Sequence, residues 1–237
     1  MRCNEPAHSD RPDFVTEVKN QLSDRDNDIT EILSTTRSVR RRIDFDRRID
    51  PETLLDCIDV AVQAPTGVGD ETWRFVVITD NGKKKALRDL YKRAFNEFLD
   101  VNVREMGEQG AAVGELSPNY RFLADHLHEF PALILVCRQG RPSADVFRQV
   151  AFYGSVLPAA WSLMIALRAQ GLGSTWTTLL TRYESETAEV LSMPSDTTVA
   201  VLLPVGHMKG AVLRRADRRP ARDVTYWNQW GDKNVDE

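Results

Sequence analysis

Apolar positions recur along the chain with two periods, and the switches between them mark the elements. Asp28 can cap a helix carrying Ile32 and Leu33. From Pro51 to Gln63, Leu54, Leu55, Ile58 and Val62 fall at helical spacing, with Asp50 as N-cap and Pro51 as the first helical residue. Phe75–Thr79 is apolar and β-branched, a buried strand closed by Asp80-Asn81-Gly82. Lys83–Leu99 is helical, with Leu87, Leu90, Tyr91, Ala94, Phe95 and Phe98 on its packed side. Residues 100–120 read as a looser insert, of the kind used as a lid or binding element. A short helix, Arg121–Phe130, then leads through Pro131 into a strand at Ala132–Cys137.

The second half is more apolar. Val150–Ala169 is apolar on nearly every side and reads as a fully buried central helix, with Pro158 inside it. Gly171-Leu172-Gly173 closes it, the first glycine suiting a left-handed C-cap. A β-like run at Ser174–Leu180, a helix at Ser185–Leu191 and a buried strand at Thr197–Val205 follow. The chain ends polar and basic, then aromatic at Tyr226-Trp227-Asn228-Gln229-Trp230. Alternating strands and helices predict an α+β or mixed α/β fold with one mixed sheet. The polar stretch 1–28 reads as an extension ahead of one domain, 29–237.

Composition narrows the function. The chain has 237 residues, 42% hydrophobic and 28% charged, and a net charge of −4, so no global basic bias points to nucleic acid. Three cysteines, none at CxxC spacing, argue against a disulfide framework or a zinc site, and Cys57 and Cys137 sit in apolar runs as small core residues. No stretch reads as a signal peptide or a membrane span. The expectation is a soluble, cytoplasmic protein. His126-x-His128 has no carboxylate or thiol at ligand spacing and reads as helix-surface histidines.

Four stretches carry candidate chemistry. Arg37-Ser38-Val39-Arg40 sets two guanidinium forks and a hydroxyl within four residues, a donor set that suits phosphate. Gln63–Phe75, read as QAPTGVGDETWRF, gathers Pro, Gly, Thr and Asp in one helix-to-strand connection, the composition of a ligand-touching loop. Gly67-x-Gly69 lacks the third glycine of a dinucleotide fingerprint. Gly173–Leu179 leaves the buried helix at a sheet edge, where a ligand ring could lie against backbone N–H groups. The cluster around Arg218-Arg219-Pro220 could close on the same phosphate.

Taken together these stretches resemble the FMN-dependent nitroreductase family over about residues 29–230. The opening Arg-Ser-x-Arg is Arg37–Arg40, the Ala-Pro-Ser/Thr loop is Ala64–Gly67 running to Trp73, the Gly-Leu-Gly helix end is Gly171–Gly173, and the closing Arg-x-Pro is Arg218-Arg219-Pro220. The resemblance implies a nitroreductase-like fold, a central mixed sheet flanked by helices in an intertwined homodimer. It implies that Arg37, Ser38 and Arg218 hold the FMN phosphate and that Arg40 lies near the flavin pyrimidine carbonyls. Pro65, Thr66 and Gly67 would approach the flavin of the partner subunit. Trp176, Thr177, Thr178 and Leu179 would line its ring, and the tail from Tyr226 would wrap the other subunit. Gly69 and Glu71 stand where many relatives carry Asn and Gln. The implied activity is hydride transfer from NAD(P)H through flavin N5 to a small-molecule acceptor such as a nitroaromatic or quinone, in ping-pong fashion. A flavin-sequestering protein of the same fold, and a dehalogenating or ring-cleaving flavoenzyme, are the alternatives.

Overall fold

A computed structural model of the chain describes residues 29–67, 71–115, 117–210 and 212–233. The 1–28 extension, the Asp28 cap and Gly69 lie outside the described residues. The chain divides into two compact units, one from Met1–Thr36 and Leu213–Glu237, the other Arg37–Val212.

In the larger unit, strands β1 (Ile43–Asp44), β2 (Trp73–Ile78), β3 (Ala132–Gln139), β4 (Leu172–Ser174) and β5 (Thr197–Met208) form one sheet. Their order is β1-β5-β3-β2, with β4 also paired to β5. Every described pairing is antiparallel, where the sequence pattern suggested a mixed sheet. The connections explain this. Ile78 pairs with Leu133, so the helical excursion from β2 to β3 leaves and returns at one end of the sheet. That excursion is α3 (Asn81–Glu115) and α4 (Ser117–His126), closed by a 3₁₀ turn at Leu127–Glu129. The expected loose insert is therefore helical through Glu115. Its glycines read as breakers, but Asn81–Glu115 runs on as one 35-residue helix.

Helix α2 (Pro51–Ala61) starts where Asp50 accepts from the Glu52 N–H at 3.4 Å. Its buried face is Leu54, Cys57 and Ala61, while Leu55 points to solvent, so the face is rotated from the one expected. Helix α5 (Val146–Ala169) is capped by Asp145, which accepts from the Arg148 N–H at 2.9 Å. It ends at Gly171, whose φ of 73° is the left-handed geometry glycine accepts without strain. Val156, Ala159, Ala160, Leu163, Met164 and Leu167 of α5 pack with α2 on Ile134 and Val136 of β3 and on Val201, Leu203 and Val205 of β5. By strand alternation, Leu133 and Leu135 are buried on the opposite face. There α3 buries Leu87, Tyr91, Ala94 and Phe95. Val150–Ala169 was expected to be fully buried, yet Val150 is exposed and Trp161 is 40% exposed, and the helix begins earlier with exposed Val146 and Phe147. By length and composition α5 could cross a membrane, but half of its most apolar window is buried against the sheet. Helix α6 (Glu184–Leu191) ends at Ser192, φ 54°.

The smaller unit contains helix α1, residues 29–35. Thr35 and Thr36 turn their hydroxyls onto the Glu31 and Ile32 carbonyls at 2.6 Å each. Its C-terminal segment is held by Lys233, whose Nζ donates to the Arg222, Asp223 and Thr225 carbonyls and lies 4.2 Å from the Tyr226 ring.

Candidate functional site

Two glycines let the Arg37–Ile43 segment lie on the sheet. A Cβ on Gly173 would fall 2.9 Å from Val39, Ile43 and Met208 atoms, and one on Gly206 would fall 2.4 Å from Ile43 Cγ2. With hydrogen there instead, the Val39 N–H donates to the Ser174 carbonyl at 2.9 Å and Thr175 Oγ1 donates to the Val39 carbonyl at 2.9 Å. Buried Val39 anchors the segment, and exposed Ser38 alternates with it. Arg40 follows, its guanidinium 5.0 Å from the Tyr120 ring. Its Nε is buried without a hydrogen-bond partner, an orphaned donor at this edge.

Beyond β4 the chain stays extended. Thr177 and Leu202 exchange backbone hydrogen bonds of 3.1 and 2.9 Å, and a 3₁₀ turn opens at Leu179–Tyr183. Alternation sends neighbouring side chains to opposite faces. On one face Thr177 Oγ1 pairs with Tyr91 OH of α3 at 3.0 Å. Burial pushes the Tyr91 phenol up to about 12, against the opposing pulls of the Thr177 hydrogen bond and nearby Arg40. On the other face Trp176 packs on the α2–α5 core. Trp176 and Thr178 there line a cavity of ≈ 590 Å³ with Tyr153 and Leu157 of α5 and Val199 of β5.

The loop after α2 lies against α5. The Gly67 N–H donates to Ser155 Oγ at 3.3 Å, and Ser155 in turn donates to the Ala151 carbonyl at 3.0 Å. A second cavity of ≈ 360 Å³ opens between Gly67 and the first turns of α5, with Arg138 and Arg148 on its walls.

The expected site residues thus sort into groups. Thr177 is hydrogen-bonded to Tyr91, and the Arg40 charge acts on the same phenol. Trp176 and Thr178 share the α5-side cavity, and Leu179 follows them into the 3₁₀ turn. Pro65, Thr66 and Gly67 belong to the loop on Ser155, and Arg37 and Ser38 extend along the β4 edge. Arg218, exposed, belongs to the smaller unit. Sequence reading missed Tyr91 as anything but a packed position, and missed Ser155 and Arg138. A lone serine inside an apolar helix and an arginine closing an apolar strand were the available signals.

This architecture is an antiparallel α+β sheet with a cationic and threonine-lined edge beside β4. The sequence profile of the nitroreductase family matches residues 33–207, and the chain belongs to that family. Its relatives narrow the comparison. It is 31% identical over 178 residues to the iodotyrosine deiodinase of Thermotoga neapolitana, covering 75% of this chain and 87% of that one. It is 29% identical to mouse iodotyrosine deiodinase 1 over 206 residues, covering 85% of this chain and 65% of the mouse protein, so it spans about two thirds of that relative's length. The crystal structure of an oxidized iodotyrosine deiodinase bound to FMN and 3-iodo-L-tyrosine superposes with a TM-score of 0.69 at 27% identity, covering 85% of this chain and all of that one.

Proposed function

We propose that the chain is an FMN-dependent reductase of small halogenated aromatics, acting as a homodimer with NAD(P)H as donor. The observation that carries this reading is its likeness to iodotyrosine deiodinases, in sequence and in a fold solved with FMN and 3-iodo-L-tyrosine. Bound FMN would supply the electrons, two of which with one proton replace the halogen by hydrogen and release halide.

The residues present fit the flavin. Arg37 and Ser38 supply donors of the kind a phosphate needs. Arg40 brings a buried, unpartnered Nε and a fixed positive charge, suited to the pyrimidine side of a reduced ring. Tyr91 holds Thr177, and with it the backbone of Thr178 and Leu179, in place for the ring edge. Trp176 and Thr178 line a cavity on the α5 side of that segment. The dimer is supported by α5. Val146, Phe147, Val150 and Trp161 expose apolar surface along it, and a Cβ on Gly154 would meet nothing within 4 Å, leaving room for close approach. In such a dimer Pro65, Thr66 and Gly67 would reach the second copy's flavin, and Glu71 would stand where many relatives carry an amide.

Purified protein should be yellow, and acid should release FMN rather than FAD. Replacing Arg37 and Ser38 together by alanine should abolish flavin retention; full occupancy in that variant would place the phosphate elsewhere. Reduction with NADH, NADPH and dithionite in parallel, followed by halophenols, nitroaromatics and quinones, identifies donor and acceptor. Turnover of nitroaromatics or quinones alone would replace the dehalogenation reading.

A further inference from the structure

Among the described residues that line the cavity between Gly67 and the start of α5, the charged ones are Arg138, Arg141 and Arg148. The arginines are not equivalent. Arg141 is already neutralised, its Nη1 2.5 Å from Glu184 and its Nε and Nη2 on the Ser195 carbonyl at 3.0 and 2.8 Å. Arg138 donates through Nε to Thr72 Oγ1 at 2.8 Å and spreads over the Phe152 ring at 4.2 Å. It is held flat as one wall. Arg148 lends only its backbone N–H to the Asp145 cap. Its side chain is exposed and has no partner among the described residues. The remaining walls are aromatic, Phe152 and the 80% exposed Phe147.

A single uncommitted guanidinium beside two phenyl rings recognises a flat ring that carries an acid group. We infer that this cavity is an anion-selecting subsite that takes the carboxylate of an aromatic acceptor on Arg148, with the ring against Phe147 and Phe152. The inference rests on the proposed reading, because it is the Gly67 loop that places the subsite beside a flavin. The Gly67–Ser155 hydrogen bond fixes that loop to the same helix that carries Arg148, so the acid group and the reacting ring are registered by one element.

The test is binding as well as turnover. Calorimetry on FMN-loaded protein compares 4-hydroxybenzoate with phenol, and kcat/KM compares 3-iodo-4-hydroxybenzoate with 2-iodophenol. The acid should be preferred in both, and its binding should weaken with salt. In Arg148→Ala the preference for the acid should fall about tenfold, the scale of one charge-assisted hydrogen bond, and Arg148→Lys should restore part of it. Equal binding of acid and phenol to the wild type, or an unchanged preference in Arg148→Ala, overturns the subsite. A change confined to NADPH over NADH overturns it as well, and assigns Arg148 to the dinucleotide phosphate. If neither iodinated compound is reduced, the proposed function fails, and the calorimetric preference still decides the subsite.

Discussion

The extended strip Thr175–Thr178 divides two unlike regions. On the α3 side the groups are closed in. Tyr91 is fully buried and hydrogen-bonded to Thr177, Thr175 is tied to Val39, and Arg40 sits against Tyr120. On the α5 side the surface is open. There are two cavities, a free guanidinium and a helix whose outer face exposes Phe147, Val150 and Trp161. The difference teaches where a single chain is complete. The α3 side ties Tyr91 to Thr177 and Thr175 to Val39, with the Arg40 Nε left as a buried donor, and can fix geometry. The α5 side has apolar surface that only another molecule would cover, and it can accept ligands and a second copy.

The largest expected effect breaks the closed side at its base. Gly206→Val would drive a side chain into Ile43, where a Cβ already falls 2.4 Å from Cγ2. A loss of about 3 kcal/mol in urea unfolding is expected, together with loss of bound flavin as Arg37–Arg40 lifts from β4. On the open side, Val146→Asp with Val150→Asp should leave folding stability nearly unchanged, since both side chains are exposed. The dissociation constant of the proposed dimer in sedimentation should rise about 100-fold, because two exposed apolar groups lose a buried partner. An unchanged mass would show that α5 is not the dimer face.

The smallest effect is also the most specific. Tyr91→Phe should cost about 1 kcal/mol for the lost hydrogen bond. Its pH signature separates it from a generic core change. The unfolded phenol ionises near 10.0 while the folded one stays protonated to about 12. Between those values the native state binds more protons, so this contribution is complete below pH 10 and lost as pH rises through about 12. The wild type should lose about 2 kcal/mol more than Tyr91→Phe across that window. Parallel alkaline curves would mean that Tyr91 is not shielded by burial.

Much of the frame was legible from local pattern. The strands around Ile134 and Val201 are continuous apolar, β-branched runs, and Asp50-Pro51 and Gly171 mark helix ends by their own chemistry. Helix α5 was harder, because core-facing Leu163 and outward-facing Val150 look alike in a pattern that is apolar all round. Residues 100–115 were misjudged because glycines were weighed as breakers without the helix they continue. At the site, Arg37–Arg40 and Ala64–Gly67 could be picked out because their residue types are informative alone. Tyr91 with Thr177, and Gly67 with Ser155, are contacts across 86 and 88 positions of chain, and no local pattern carries them.

The central claim is reductive dehalogenation by bound flavin, and single-turnover chemistry tests it most directly. FMN-loaded protein is reduced anaerobically with dithionite, freed of excess reductant and mixed with 3-iodo-L-tyrosine or 3-iodo-4-hydroxybenzoate. The predicted result is reoxidation of the flavin with one iodide released per flavin. A flavin that stays reduced with every halogenated phenol, yet reoxidises with a nitroaromatic, would contradict it.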